Sequence, residues 1–504
     1  MTMISTFEAF EKGWNAGQNQ VVYARLAADL DTPVSLMLKL GEARPDTFML
    51  ESVTGGEVRG RYSVVGMKPD LIWRCRGTEA EINREARFDG AAFKPQTGNP
   101  LDRIRDLVAE CRIDMPDDLP AIAAGLFGYL GYDMIRLVEH LPNVNPDPLG
   151  LPDAVLMRPS VVAVLDGVKG EVTVVSPAFV GSGLSAKAAY AQAAERVMDA
   201  LRDLDRAPAD MTRDLGDAGA GVGPAVSNFP AGGYQAAVEK AKEYIRAGDI
   251  FQVVPSQRWA QKFDLPPFAF YRSLRRTNPS PFMFFFNFGG YQVVGASPEI
   301  LVRLRDGEVT IRPIAGTRPR GATVEQDKAY EVDLLSDKKE LAEHLMLLDL
   351  GRNDVGRVAK VGTVKPTEKF IIERYSHVMH IVSNVVGQIA DGQDALSALL
   401  AGLPAGTVSG APKVRAMEII DELEPEKRGV YGGGIGYFAA NGEMDFCIAL
   451  RTAVLKNQVL YTQAGGGVVY DSDPQAEYEE TVNKSKALRK AAEAAGMFTR
   501  RGNG

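Results

Sequence analysis

Four glutamates carry the chemistry that is easiest to read in this chain. Glu340 and Glu343 lie three residues apart in DKKELAEHLMLLDLGRNDVGRV, residues 337–358. Glu477 and Glu480 repeat the spacing in AEYEETVNKSKAL, with Lys484 one turn further on. Three-residue spacing puts two side chains on one face of a helix. Two carboxylates on one face repel unless a positive charge stands between them. Lys338 and Lys339 flank the first pair, so by itself that pair reads as a solvated charged face. If the two pairs converged, four carboxylates would need a cation. Mg²⁺ would suit, because it takes oxygen ligands and keeps waters and substrate oxygens in its shell. Periodicity alone does not show that the pairs converge.

Other stretches have the composition of anion sites. Residues 312–321, RPIAGTRPRG, form a Gly/Pro loop dense in arginine. Thr407 opens TVSGAPK ahead of a helix start, where free amides and the helix dipole favour anions. Gly465, Gly466 and Gly467 let backbone amides approach a ligand, although a glycine triplet also serves as a strand bulge. Arg451, within FCIALRTAVL, belongs in an apolar strand only if it meets an anion or faces solvent. Tyr431, ahead of Gly432, could supply a hydroxyl. His380, among Val378, Met379, Ile381 and Val382, reads either as a satisfied core histidine or as a proton-transfer group. His344 points away from the glutamate face and reads as structural.

The elements that must position these residues divide the chain in two. Residues 206–233 are rich in Ala, Gly, Pro and Asp and read as a linker. It separates an N-terminal region, 1–205, from a second region, 234–504, that holds all the motifs above. Hairpins are expected around Asp166-Gly167, Gly289-Gly290 and Asp306-Gly307. Strand-like patterning is expected from Val34 onward and at 361–364. Residues 337–358 read as a helix with Leu341, Leu345 and Leu348 on one stripe, ended by Gly351, Asn353 and Asp354. Strands and helices come in runs, which predicts an α+β fold: antiparallel sheets packed face to face as a sandwich with helices outside, the N-terminal region partly completing the sandwich.

Bulk properties exclude several functions. The net charge of −8 gives no reason to expect nucleic-acid or acidic-membrane binding. No apolar run reaches the roughly 18 residues of a membrane span, and the N-terminus has no secretory h-region. Cys75, Cys111 and Cys447 are too dispersed for a metal cluster or a disulfide framework. A reducing, cytoplasmic setting is expected.

Taken together, the ordered motifs GDIFQVVPSQR, ASPEILVR, RPIAGTRPRG, DKKELAEHLMLLDLGRND, YSHVMHIVS, GTVSGAPKVRAMEII, VYGGGIGYF, ALRTAV, AGGGVV and AEYEETVNKSKAL resemble the chorismate-utilising enzyme family. Within it they are similar to the component I chains of anthranilate synthases. The likeness is strong over the second half and looser over the first, where MLESVTGGEVRGRYSVVG carries it.

The resemblance implies a reaction. Chorismate loses its ring hydroxyl as ammonia adds, and pyruvate leaves the aminodeoxyisochorismate intermediate to give anthranilate. It also implies roles. Mg²⁺ would be held by Glu343 and Glu480, with Glu477 behind them. Glu340 would donate a proton to the departing hydroxyl, and His380 would act in the elimination. Arg451 and Tyr431 would hold the enolpyruvyl carboxylate. Ala315, Gly316, Thr317, Thr407, Gly465, Gly466, Gly467 and Lys484 would line the remaining substrate surface, with Thr407 close to the chemistry. Two positions discriminate among relatives. Ala315 stands where aminodeoxychorismate synthases of folate synthesis usually carry a lysine nucleophile. Gln252 stands where isochorismate and salicylate synthases carry the lysine that activates water, and glutamine cannot act as that base. The alternatives are an aminodeoxychorismate synthase and an inactive tryptophan-binding homologue.

The resemblance further implies a separate glutamine amidotransferase subunit supplying ammonia, in a heterotetramer of two large and two small subunits. It implies feedback inhibition by tryptophan, bound at Leu50, Glu51 and Ser52 together with Pro281, Phe282 and Met283. The family more often has tyrosine where Phe282 stands.

Overall fold

A computed structural model describes residues 2–41, 44–52, 60–206, 221–375 and 378–499. Residues 207–220 of the expected linker lie outside the described residues. Among the described residues, 22 strands join in one sheet system whose pairings are antiparallel. The two sequence regions share that sheet. Thr47–Glu51 pairs with Phe282–Asn287, and Gly125–Leu130 pairs with Gly434–Ala439. Val222–Ser227, inside the expected linker, is itself a strand on Ser256–Phe263.

The sheet folds back on itself, as strand alternation requires. Phe48 points inward and stacks on Phe127 at 4.5 Å between centroids, although the pairing path from one strand to the other runs through two intervening strands. Phe286, Tyr437 and Val164 fill the same inter-sheet core. The adjacent residue, Met49, faces the other way, into a layer built from helices Pro33–Leu40, Ala186–Asp205, Pro267–Thr277 and Pro474–Ala494. Helices Pro100–Glu110 and Ala395–Gly402 cover another outer face through Ile104, Leu107 and Leu399. The α+β sandwich with helices outside is therefore the observed architecture. No helix among the described residues is long and apolar enough to cross a membrane.

Several local expectations are corrected. Residues 33–40 are helical, not strand-like: Thr32 and Ser35 cap each other's backbone and Pro33 sits in the first turn. Residues 361–364 form no strand; the strand is Lys365–Arg374. The first glutamate helix, Lys338–Gly356, runs through Gly351 rather than stopping there. A side chain at Gly351 would meet Pro313 at 3.1 Å, so this glycine allows close packing rather than ending the helix. The helix's buried stripe is His344, Leu347, Leu348, Gly351, Asp354 and Val355, whereas Leu345 is 56% exposed. The expected single strand through Arg451 breaks there, because Arg451 takes φ +47° between Met444–Ile448 and Thr452–Lys456.

Candidate active site

Asp337 caps the first glutamate helix by accepting from the Lys339 and Glu340 amides. Its glutamates project toward the strand Ile314–Pro319 and the glycines 465–467. A side-chain carbon on Gly316 would lie 3.2 Å from Glu340 Oε2; one on Gly466, 2.9 Å from Glu477 Oε2; one on Gly467, 3.9 Å from Glu343 Oε1. The glycines are thus the backbone surface onto which both glutamate pairs open.

Each carboxylate has a different partner. Glu340 Oε1 accepts from Arg318 Nη1 at 3.1 Å, and Glu343 Oε1 accepts from Gln252 Nε2 at 3.1 Å. Glu480 Oε1 lies 2.6 Å from Lys484 Nζ, which also donates to the Gly465 carbonyl at 3.0 Å. Glu477 Oε1 accepts from Ser472 Oγ at 2.7 Å, while its buried Oε2 has no partner among the described residues. Burial raises the proton affinity of Glu343, and the charges of Glu340 and Glu480 add to it; Gln252 and Lys484 oppose. Burial likewise raises Glu477, with Glu480 adding to it. The two pairs therefore share one electrostatic neighbourhood, but among the described residues no three acidic, histidine or cysteine side chains form a closed metal cluster.

A further buried acid has no spacing pattern to mark it in the sequence. Glu299, in the turn ahead of strand Ile300–Arg305, is only 6% exposed. Burial pushes its carboxyl up to about 8, against the hydrogen bonds from Thr407 and the Ile314 amide and the fields of Arg451 and Lys484. Thr407 Oγ1 stands 3.3 and 3.4 Å from its two oxygens. The one signal in the sequence was a glutamate followed by the apolar Ile300, Leu301 and Val302. Arg451 is lowered by burial, although the charge of Glu299 opposes this. His380 Nδ1 lies 2.8 Å from the Gly316 carbonyl and 3.1 Å from Thr317 Oγ1. A carbonyl only accepts, so Nδ1 carries the proton and Nε2 is left as a base in the neutral ring. Burial lowers the proton affinity of this ring. Ala315 pairs with Ile381 beside it. Tyr431 OH approaches Gly465, where an added side-chain carbon would meet it at 3.2 Å.

The charged side chains in the two stretches of anion-site composition have acidic partners in the fold. The arginines of residues 312–321 are engaged by acids: Arg312 by Glu368 and Glu373, Arg318 by Asp333, Asp337 and Glu340, Arg320 by Asp327. Lys413, at the end of TVSGAPK, is held by both oxygens of Asp354 at 2.8 and 2.9 Å. His344 is structural as expected: it is buried with Nε2 2.6 Å from Ser383 Oγ.

Leu50, Glu51, Ser52, Pro281, Phe282 and Met283 fall along one strand pair and its ends, with Glu51 opposite Met283. Glu51 is already clamped, accepting from Arg275 at 2.6–3.0 Å and from Tyr271 OH at 2.7 Å.

A buried carboxyl raised to about 8, a histidine with a free ring nitrogen, an arginine with no salt bridge among the described residues and two glutamate pairs thus meet bare glycine backbone. The chain belongs to the chorismate binding enzyme family, whose model matches residues 66–490. Within that family it is an enzyme of the anthranilate synthase type. It is 82% identical to anthranilate synthase component 1 of Cereibacter sphaeroides over 99% of this chain and 100% of that one. It is 52% identical to the Pseudomonas aeruginosa component 1, covering 92% of this chain and 93% of that one. The crystal structure of anthranilate synthase component I from Streptococcus pneumoniae superposes with a TM-score of 0.76 at 38% identity, covering 92% of this chain and 98% of that one.

Proposed function

We propose that the chain converts chorismate and ammonia to anthranilate and pyruvate, through an aminodeoxyisochorismate intermediate. Gln252 carries the choice of nucleophile. Its amide faces Glu343, where an enzyme adding water needs a base, and an amide has no basic nitrogen to offer. Ammonia needs no such activation. Ala315 removes the lysine that the folate-branch reading would require.

Hydroxide is a poor leaving group and must depart as water. The proton donor we assign is Glu299, not Glu340. Glu299 holds its proton at neutral pH, whereas Glu340 is committed to Arg318. Thr407 orients the Glu299 carboxyl. In the second half, His380 Nε2 takes the proton from the ring carbon that gained nitrogen. The bond from the ring carbon to the enolpyruvyl oxygen breaks, the ring aromatises, and the released pyruvate enolate takes up one proton on its methylene carbon to become pyruvate. Arg451, whose guanidinium has no salt bridge among the described residues, and Tyr431 hold the enolpyruvyl carboxylate. The amides of Gly465, Gly466 and Gly467, with Gly316, Thr317 and Lys484, line the ring side.

The residues fit Mg²⁺. Burial and the neighbouring carboxylates disfavour the charged forms of Glu343 and Glu477, a cost that a cation would remove, and among the described residues Glu477 Oε2 has no partner. Glu343 and Glu480 would hold the ion with Glu477 behind them, and Mg²⁺ when bound would polarise the substrate's ring carboxylate. Lys484 would then release Glu480.

The same reading includes a glutamine amidotransferase subunit as the ammonia source, a heterotetramer of two large and two small subunits, cytoplasmic residence and feedback by tryptophan. A tryptophan ammonium at Glu51 would have to share that carboxylate with Arg275. The test is incubation of the purified chain with chorismate, ammonium and Mg²⁺. Anthranilate fluorescence that vanishes without Mg²⁺ is expected. Accumulation of a non-aromatic amino product would overturn the reading in favour of aminodeoxychorismate synthesis.

A further inference from the structure

Behind the substrate wall lies a buried ion pair that the proposed reaction does not use. Arg428 and Glu424 have side chains only 2% and 3% exposed. Arg428 Nε donates to the two Glu424 oxygens at 3.1 and 3.0 Å, and Nη2 donates to Oε1 at 2.5 Å. Its remaining hydrogens do not complete a simple salt bridge. Nη1 donates to the Val408 carbonyl at 2.5 Å, and Nη2 to the Val254 carbonyl at 2.6 Å. Glu424 Oε1 also accepts from the Ser256 amide at 2.7 Å and the Ser256 hydroxyl at 2.9 Å, and that hydroxyl accepts from Gln463 Nε2 at 2.8 Å. The guanidinium lies 5.6 Å from the Tyr431 ring centroid and 4.7 Å from that of Tyr132.

Every segment this pair grips ends in a wall residue. Val408 follows Thr407, and Val254 lies two residues after Gln252. Ser256 pairs with Gly465 across the sheet, and the Gly466 amide donates to the neighbouring Pro255 carbonyl at 3.2 Å. Isolated burial of such a pair gives little net stability, because desolvation offsets the attraction. What a planar five-donor fork does provide is fixed geometry among several acceptors at once.

We propose that Arg428, held by Glu424, is a positioning residue: it fixes the Thr407, Gln252, Tyr431 and Gly465 segments relative to one another and so sets the affinity for the substrate's enolpyruvyl end. This rests on the reading of Tyr431 and Gly465 as substrate wall.

The test uses the full chain and steady-state kinetics with chorismate and ammonium varied separately. Arg428→Lys keeps the charge and loses the fork. It should raise KM for chorismate by about tenfold or more, the size expected when charged hydrogen bonds are lost, and leave KM for ammonium unchanged. Guanidinium chloride at low concentration should lower the chorismate KM of Arg428→Ala, and potassium chloride should not. A purely structural role would instead lower active enzyme without changing either KM. That outcome overturns the proposal, as does a chorismate KM unmoved by Arg428→Lys. If Arg428→Lys does not fold, Ser256→Ala decides: it frees one Glu424 oxygen contact and should raise the same KM by a few-fold, and no change overturns the proposal. Tyr431→Phe separates the two layers. If it raises chorismate KM while Arg428→Lys does not, the clasp fails and the wall reading stands. If neither moves it, the wall reading fails first.

Discussion

Replacing Glu299 with glutamine removes one proton and almost no volume, so it isolates the acid. With its carboxyl pushed up to about 8, Glu299 is roughly nine-tenths protonated at pH 7; at the ordinary carboxylate value it would be protonated to only about 0.3%. Burial therefore raises the population of competent donor on the order of 300-fold. General acids typically contribute about 10²- to 10⁴-fold, and Glu299→Gln should reduce kcat/KM for chorismate within that span. The same shift sets a stability signature. Between about 4.5 and 8 the folded chain holds a proton at Glu299 that the unfolded chain has lost, so stability falls as pH rises through that window. The ceiling is roughly 5 kcal/mol, from about 1.4 kcal/mol per unit. Glutamine does not titrate, so the thermal midpoint of the variant should gain on the parent steadily from pH 5 to pH 8. The assays are a pH series of initial rates and a parallel series of thermal melts. A Glu299→Gln chain with full activity would refute the acid role. A midpoint difference that stays flat with pH would refute the buried neutral carboxyl itself.

Four further outcomes follow from the same geometry. Glu480→Ala should weaken Mg²⁺ binding measured by calorimetry and cost about 10²-fold or more in turnover, because it would remove one of the two proposed ligands. Glu340→Gln should cost far less than Glu299→Gln, since Glu340 serves Arg318; equal losses would return the acid role to Glu340. His344, whose burial lowers it to about 4, gives stability that is present above the unfolded value near 6.5 and lost as pH falls toward 4. Its replacement by glutamine should flatten the acid limb of a melt series. Arg275→Met should weaken the hold on Glu51 and alter tryptophan inhibition without changing KM for chorismate; an unchanged inhibition constant would separate Glu51 from the inhibitor.

Several candidate-site side chains stand out in the sequence because their types are costly elsewhere. Paired glutamates, Arg451 in apolar surroundings and His380 among aliphatics all stand out locally. Their surroundings did not, because they depend on distant segments. Glu299 looks like any turn glutamate until the fold buries it beside Thr407, more than a hundred residues away. The arginines of residues 312–321 look free for an anion in the sequence, whereas in the fold Asp333 on a helix and Asp337 at a helix N-cap pair with Arg318. The hairpins at Asp166-Gly167, Gly289-Gly290 and Asp306-Gly307 were local and were read correctly. The helix at 33–40 was missed because its apolar run hid the Thr32–Pro33–Ser35 cap. Gly351 was misread because a glycine's packing role inside a helix has no local mark.

On the proposed mechanism this site adds nitrogen, not water, to the ring. The direct measurement is product mass after turnover of the Mg²⁺-loaded chain with chorismate and isotopically heavy ammonium in heavy-oxygen water. Anthranilate carrying the nitrogen label and no ring-bound oxygen from solvent is expected. A product carrying solvent oxygen on the ring, with no nitrogen label, would contradict it.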